Sequence, residues 1–225
     1  MKRITVLLAE DHQIVREGFR SLLKQERDIE VVGEAETGRQ AVQLTRKLRP
    51  AVVVMDIAMP QLNGLEATRQ IRKDFPDTKV LILSAHSDEA YVEQVAELGA
   101  AGFLLKQTSS HDLAAAIREV HKGNTFFNPT NARRLQDRGK KPAARGGQFK
   151  QKGNRLSSRE MEVLQLIAEG KPNKQVAAEL GVSFKTVDKH RQHLMSKLNI
   201  HDVAGLTRYA IAEGVIESSV RLSIS

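Results

Sequence analysis

Five short apolar runs punctuate the first half of the chain: ITVLLA (4–9), IEVVG (29–33), AVVVM (51–55), KVLILS (79–84) and GFLL (102–105). They are short and rich in β-branched residues, so the pattern predicts buried strands. Between them, apolar positions recur at helical spacing. Ile14, Val15, Phe19, Leu22 and Leu23 mark one stripe, and Ala41, Leu44, Thr45 and Leu48 a second. Leu65, Thr68, Ile71 and Arg72 form a weaker third, followed by Val92, Val95, Ala96 and Leu98, then Leu113, Ala116, Ile117 and Val120. Strands alternating with helices imply a five-stranded parallel sheet covered on both faces, an α/β doubly wound domain over residues 1–127.

The pattern changes over 128–155, where Gly, Pro, Asn and basic residues dominate and a linker is expected. The piece ARRLQDR within it can extend a helix. Helical patterning returns over 156–225. In LSSREMEVLQLIAEG, Ser157 and Glu160 have capping-box spacing and Gly170 is a stop. NKQVAAELG follows, then FKTVDKHRQHLMSKL with Ser183 as its cap, then VAGLTRYAIAEG with Asp202 as its cap. An all-α unit of four helices is predicted. Its second and third helices are separated by a tight turn after Gly181, as in a helix-turn-helix.

Charge sharpens this division. The net charge is +8, but residues 1–127 hold 17 Lys and Arg against 18 acids, a net of −1. Residues 128–156 carry nine basic residues and the single acid Asp137, a net of +8, and the segment from Ser157 onward is +1. The excess positive charge therefore lies in the C-terminal part, as expected for a partner that is a polyanion. With Ala177 and Leu180 facing inward on one helix and Val187, Leu194 and Leu198 on the next, Lys185, Asp188, Lys189, Arg191 and Gln192 are left outward. A recognition helix uses such residues in the major groove of double-stranded DNA.

The chain has no cysteine, which excludes disulfides, thiolate nucleophiles and cysteine-ligated zinc. The first apolar run is cut at Glu10 and Asp11, too early for a signal peptide, and no stretch has membrane-spanning length. A cytoplasmic protein with no membrane partner is expected. His190, His193 and His201 lie near one another in sequence, but no cysteine or nearby acidic pair completes a metal site there.

The polar residues of the first half gather at strand ends. Glu10 and Asp11 follow the first strand, Asp56 ends the third, Ser84 the fourth, and Lys106 follows the fifth. That edge of an open α/β sheet carries the ligand crevice. If the first and third strands are neighbours, three carboxylates converge with one Lys. Such a set suits a hard cation such as Mg²⁺, which takes carboxylates, waters and phosphate oxygens. Asp56 can then act as a nucleophile towards a phosphoryl donor. Lys106 and the Ser84 hydroxyl can contact phosphoryl oxygens. Each residue alone also has a plainer use: Asp11 as a helix cap, Ser84 as a turn cap, Lys106 as a solvated charge. Five at one edge favour a site. His12 and His86 border the crevice.

The stretches LLAEDH, VVVMDIAMPQLNG, LILSAHS and GFLLK resemble the receiver domain of two-component response regulators over about residues 1–125. LSSREMEVLQLIAEGKPNKQVAAELGVSFKTVDKHRQHLMSKL resembles the LuxR-type helix-turn-helix over 156–215. Together they resemble a NarL/FixJ-family response regulator with a flavodoxin/CheY-like receiver fold. The resemblance implies Asp56 as the phosphoacceptor for a partner histidine kinase. It also implies Mg²⁺ held by Glu10, Asp11, Asp56 and the Ala58 backbone carbonyl, phosphoryl contacts from Ser84 and Lys106, and Phe103 as the switch aromatic. For DNA it implies base-edge contacts from Asp188, Lys189 and Gln192, and backbone contacts from Asn173, Lys174, Lys185, Thr186, His190 and Arg191. The helix over 202–213 would supply part of a homodimer contact. Asp188 departs from the pattern, since a basic residue is common there and an acid meets phosphate repulsion. A phosphorylation-independent DNA-binding regulator, with the receiver as a dimer scaffold, is the alternative. An aspartyl-nucleophile phosphatase is remoter, because the acid such enzymes generally need two residues on is here Ala58. No enzymatic activity beyond slow self-dephosphorylation is expected.

Overall fold

The computed structural model describes residues 3–85, 89–127 and 156–216. The chain divides into two compact units, Met1–Gly146 and Gly147–Ser225. The expected linker, 128–155, with its possible helix at ARRLQDR, lies outside the described residues, as does His86.

The first unit contains β1 (Ile4–Ala9), α1 (Gln13–Lys24), β2 (Ile29–Ala35), α2 (Gly38–Leu48), β3 (Val52–Asp56), α3 (Gly64–Asp74), β4 (Lys79–Ser84), α4 (Glu89–Glu97), β5 (Gly102–Leu105) and α5 (Ser110–His121). All strand pairs are parallel, in the order β2-β1-β3-β4-β5. Two apolar layers sandwich the sheet. One joins Leu7, Val53, Met55 and Ile82 to Leu65, Ile71 and Val95; the other joins Val6, Leu8, Val54 and Leu81 to Phe19, Leu23, Leu113 and Ile117. Alternate strand residues feed opposite layers, so β3 is buried along its whole length. The strand order reverses between β1 and β3, which opens a crevice at their C-terminal ends.

One strand limit differs from the pattern: β2 continues two residues to Ala35 because Leu8 and Ala9 pair with Glu34 and Ala35. Asp56 ends β3 and pairs with Leu83, so the carboxylate belongs to the last rung of the β3–β4 pair. The α1 stripe is also rotated. Ile14 is 86% exposed, whereas Arg16 is buried beside Phe19 and Leu23. Arg16 is tolerated there because every part of its guanidinium is used. It donates to the Glu10 carbonyl at 2.7 Å, to Glu34 at 3.2 Å and to Glu36 at 2.8 Å.

The second unit has four helices: α6 (Ser158–Ala168), α7 (Asn173–Leu180), α8 (Phe184–Leu198) and α9 (Val203–Ala212). Val163, Leu164, Leu166, Val176, Val187, Leu194 and Leu206 form its core. The Ser157–Glu160 capping box is present, and Ser183 and Asp202 cap α8 and α9. Lys197 near the end of α8 reaches Glu160 at 2.6 Å, tying the recognition-type helix to the α6 cap. α7 ends on Gly181 at φ +63°, a left-handed conformation that glycine adopts without steric cost. The Val182 N–H then returns to the Ala177 carbonyl at 3.0 Å, closing the turn before α8.

Gly64 is fixed by close approach. A Cβ there would meet the Asp56 carbonyl oxygen at 1.8 Å, because α3 starts against the end of β3. Gly18, in the exposed middle of α1, has open space around it. Gly64→Ala is therefore expected to destabilise the first unit by more than about 3 kcal/mol or prevent its folding. Gly18→Ala should stabilise it by about 1 kcal/mol. Urea denaturation followed by circular dichroism checks both, and a tolerated Gly64→Ala would contradict the packing argument.

Candidate functional site

β1 delivers Glu10 and Asp11 to the crevice and β3 delivers Asp56. Glu10 and Asp56 are each only 2% exposed. Candidate ligand atoms of Glu10, Asp11, His12 and Asp56 lie within 4.8 Å of one another. Lys106, just past β5, closes the group. Its ammonium stands 2.8 Å from Glu10 Oε2 and 3.0 Å from Asp56 Oδ2, and donates to Glu10 Oε1 at 3.1 Å. The Lys106 N–H also donates to the Ser84 carbonyl at 2.8 Å, locking the end of β4 to the residue after β5. Asp56 Oδ1 accepts the Ile57 N–H at 2.8 Å, which turns Oδ2 towards Lys106.

The plainer use of Asp11 is not realised: His12 is the N-cap of α1 and makes no side-chain cap bond. Asp11 instead lies 2.8 Å from His12 Nδ1. The Asp11 charge is the main reason the His12 pKa is raised, against partial desolvation and with help from Glu10.

Charge balance here is unfavourable to Asp56. Burial, then the Glu10 carboxylate, pushes its pKa up to about 7, although Lys106 pulls it down. For Lys106, burial opposes the charge, but Asp56 and Glu10 outweigh it and hold its pKa above the usual value. Glu10 Oε2, Asp11 Oδ1 and Asp56 Oδ2 are buried without an aligned hydrogen bond. The Lys106 and His12 nitrogens stand within 3.0 Å of them, near enough to attract but not angled to satisfy them. Three carboxylate oxygens in this state are a ligand set that fits a hard divalent cation.

The remaining candidates take their places around this group. Ser84 is buried as the last residue of β4, at the same sheet edge. Ala58 is half-buried in the turn after β3. Phe103, the second residue of β5, is packed in the core layer that includes Ile82 and Val95. Sequence reasoning assigned no role to two further residues. Arg16 holds the Glu10 backbone, and Gly64 makes room for the Asp56 carbonyl. The NG dipeptide marks Gly64 as a turn residue, but nothing in the sequence shows what it must avoid.

In the second unit, α7, its turn and α8 form the expected helix-turn-helix. Lys174, Lys185, Lys189 and Gln192 are exposed, and Asn173, Thr186, Asp188, His190 and Arg191 half-buried. Arg191 donates to Asn173 Oδ1 at 3.1 Å, so two expected backbone contacts first brace each other across the motif. Thr186 gives its N–H to Ser183 Oγ at 3.1 Å in the α8 cap. Val203 and Ile211 of α9 are exposed apolar residues.

Raising the Asp56 pKa to about 7 means that the folded protein keeps a proton the unfolded chain releases near pH 4. Stability from this group is therefore greatest below the unfolded value and falls as pH rises towards 7. A shift of that size is worth at most about 4 kcal/mol. In cation-free buffer, Asp56→Asn should be more stable than the native protein at pH 8 by roughly 1–3 kcal/mol. The advantage should vanish near pH 4. Paired urea titrations check this; equal stability at pH 8 would mean that Lys106 already neutralises the cost.

Residues 6–118 match the response regulator receiver domain, and residues 154–210 match the luxR family of bacterial regulatory proteins. The transcriptional regulatory protein DegU of Brevibacillus brevis is 37% identical over 89% of each chain. The response regulator protein VraR of Staphylococcus aureus is 36% identical over 95% of this chain and 99% of its own. Among solved structures, RcsB, as two dimers bound to two parallel DNAs, aligns at 30% identity with a TM-score of 0.55, covering 92% of this chain and 98% of that one.

Proposed function

This chain belongs to the NarL/FixJ family of two-component response regulators, and from that premise we propose that Asp56 is its phosphoacceptor and gates its binding to DNA. The observation that carries the reading is the Lys106 ammonium set between Glu10 and Asp56, with Asp11 alongside and three carboxylate oxygens left unsatisfied.

Glu10, Asp11 and Asp56, with the Ala58 carbonyl, are the residues that would hold Mg²⁺. When bound there, the ion supplies the positive charge that keeps Asp56 ionised near neutral pH and offsets the charge of an incoming phosphoryl group. The chain's own residues do the rest. The Ile57 N–H orients Asp56 so that Oδ2 faces the crevice mouth beside Lys106. Oδ2 attacks the phosphorus of a phosphohistidine on a partner sensor kinase. A P–O bond forms, the P–N bond breaks, and the departing imidazole takes up a proton. Lys106 and the Ser84 hydroxyl then receive phosphoryl oxygens.

Withdrawal of Lys106 from Glu10 and of Ser84 from its resting place alters the β4–β5 edge, where Phe103 is packed. That two-state edge biases assembly of a homodimer or freeing of the second unit for DNA. Domain limits of 1–127, 128–155 and 156–225 suit this division of labour. Asn173, Lys174, Lys185, Thr186, His190 and Arg191 meet the DNA backbone, and Asp188, Lys189 and Gln192 the base edges. Ala58 stands where aspartyl-nucleophile phosphatases generally carry their acid, which supports reading the protein as a regulator with slow self-dephosphorylation at most. No helix among the described residues is long and apolar enough to cross a membrane. A cytoplasmic location follows from partners that are DNA and a kinase domain.

Beryllofluoride, a phosphoryl mimic, with Mg²⁺ is expected to raise DNA affinity at least tenfold or double the mass in the native protein, and to change neither in Asp56→Asn. Fluorescence anisotropy and light scattering read the two quantities. No response in the native protein would leave the first unit as a scaffold only. The +8 segment over 128–156 should add a nonspecific electrostatic grip. Neutralising Arg138, Lys140, Lys141 and Arg145 is expected to reduce the slope of log affinity against log salt by about 2–4; an unchanged slope would refute that role.

A further inference from the structure

The acid that departs from the family pattern has a partner. On α8, Gln192 Nε2 donates to Asp188 Oδ2 at 3.0 Å, one helical turn back. A carboxylate only accepts, so the amide has one choice of orientation: nitrogen towards Asp188, Oε1 turned away. The pair lies on the side of α8 that also exposes Lys189, the residue assigned with it above to base edges.

Orientation decides what a glutamine reads. A free amide turns either way and can offer both N–H groups to a purine with two acceptors, guanine O6 and N7. With one N–H held by Asp188, Gln192 retains one acceptor, Oε1, and one donor. That set complements adenine, whose N6 donates and N7 accepts, and it mismatches guanine. We propose that Asp188 is a positioning residue that fixes the Gln192 amide so that it reads adenine; this rests on the DNA-binding reading above. In water an exposed i,i+4 pair of this type holds weakly. Inside a groove that excludes water the same hydrogen bond strengthens. The Asp188 charge also repels phosphate, which lowers affinity for every sequence alike and leaves discrimination between bases to the fixed Gln192 amide.

The test selects bound fragments from a pool of random double-stranded DNA. It uses the full chain with beryllofluoride, as native protein, Asp188→Ala, Asp188→Asn and Gln192→Ala. The native protein should select a site with adenine at one base pair, and Gln192→Ala should lose that preference. Asp188→Ala should lower the adenine-over-guanine ratio at that base pair about threefold to tenfold while binding random DNA more tightly. Asp188→Asn lacks the charge but keeps an accepting oxygen. Its amide can also donate, so it holds Gln192 less uniquely than the carboxylate does: it should bind random DNA more tightly and give an adenine-over-guanine ratio between those of the native protein and Asp188→Ala, a gradation that a merely structural or merely electrostatic role would not produce. The proposal is overturned if Asp188→Ala keeps the native ratio, if Asp188→Asn loses it as fully as Asp188→Ala, or if no adenine depends on Gln192. If the native protein selects no sequence at all, the DNA-reading function falls together with it.

Discussion

Three carboxylates brought to one end of a buried sheet repel one another, and everything at this sheet edge is arranged around that repulsion. Lys106 is the counter-charge the chain supplies, and it is shared: one ammonium stands within 3.0 Å of both Glu10 and Asp56. Sharing leaves each acid incompletely paired, and the raised Asp56 pKa is the electrostatic expression of that deficit. A pocket fully neutralised from within would have no use for an added cation. This one is left short of positive charge, and the shortage is what gives added ligands differential free energy in one state over another.

The scaffold holds that tension without giving way. β3 is buried from end to end, so Asp56 sits on a strand with no freedom to retreat. Arg16 ties the Glu10 carbonyl to two glutamates at the end of β2, fixing the opposite wall. The Lys106 N–H on the Ser84 carbonyl couples the strand that ends in a hydroxyl to the residue that carries the ammonium. Phe103 lies two rungs back on the same strand pair, in register with Ile82.

The second unit solves a different problem, presenting polar side chains in a fixed pose on a small core. Lys197 on Glu160 anchors α8 to the α6 cap, and Arg191 on Asn173 braces α8 against α7. The Asp188–Gln192 bond extends the same device to the exposed face. Side chains that are oriented before binding lose less entropy on meeting a ligand, which matters for a unit whose own net charge is only +1 from Ser157 onward.

The alternation of strand and helix patterns, the caps at Ser157, Ser183 and Asp202, and the gathering of Glu10, Asp11, Asp56, Ser84 and Lys106 at strand ends were all legible in the sequence. Each follows from local periodicity or spacing, which the chain carries whatever it packs against. The α1 stripe was misread at its edge. Apolar Ile14 faces water and Arg16 takes the buried place, because its acceptors come from β2 and the following loop, distant in sequence. The tight passage of Gly64 over the Asp56 carbonyl, the sharing of Lys106 and the raised pKa of Asp56 likewise exist only once β1, β3 and β5 lie at their places in the sheet. By itself the sequence determined which groups are available and which end of the sheet they reach. Tertiary structure alone decided the distances between them, and so the charge balance, because Coulomb interactions and close contacts depend on separations that no local pattern encodes.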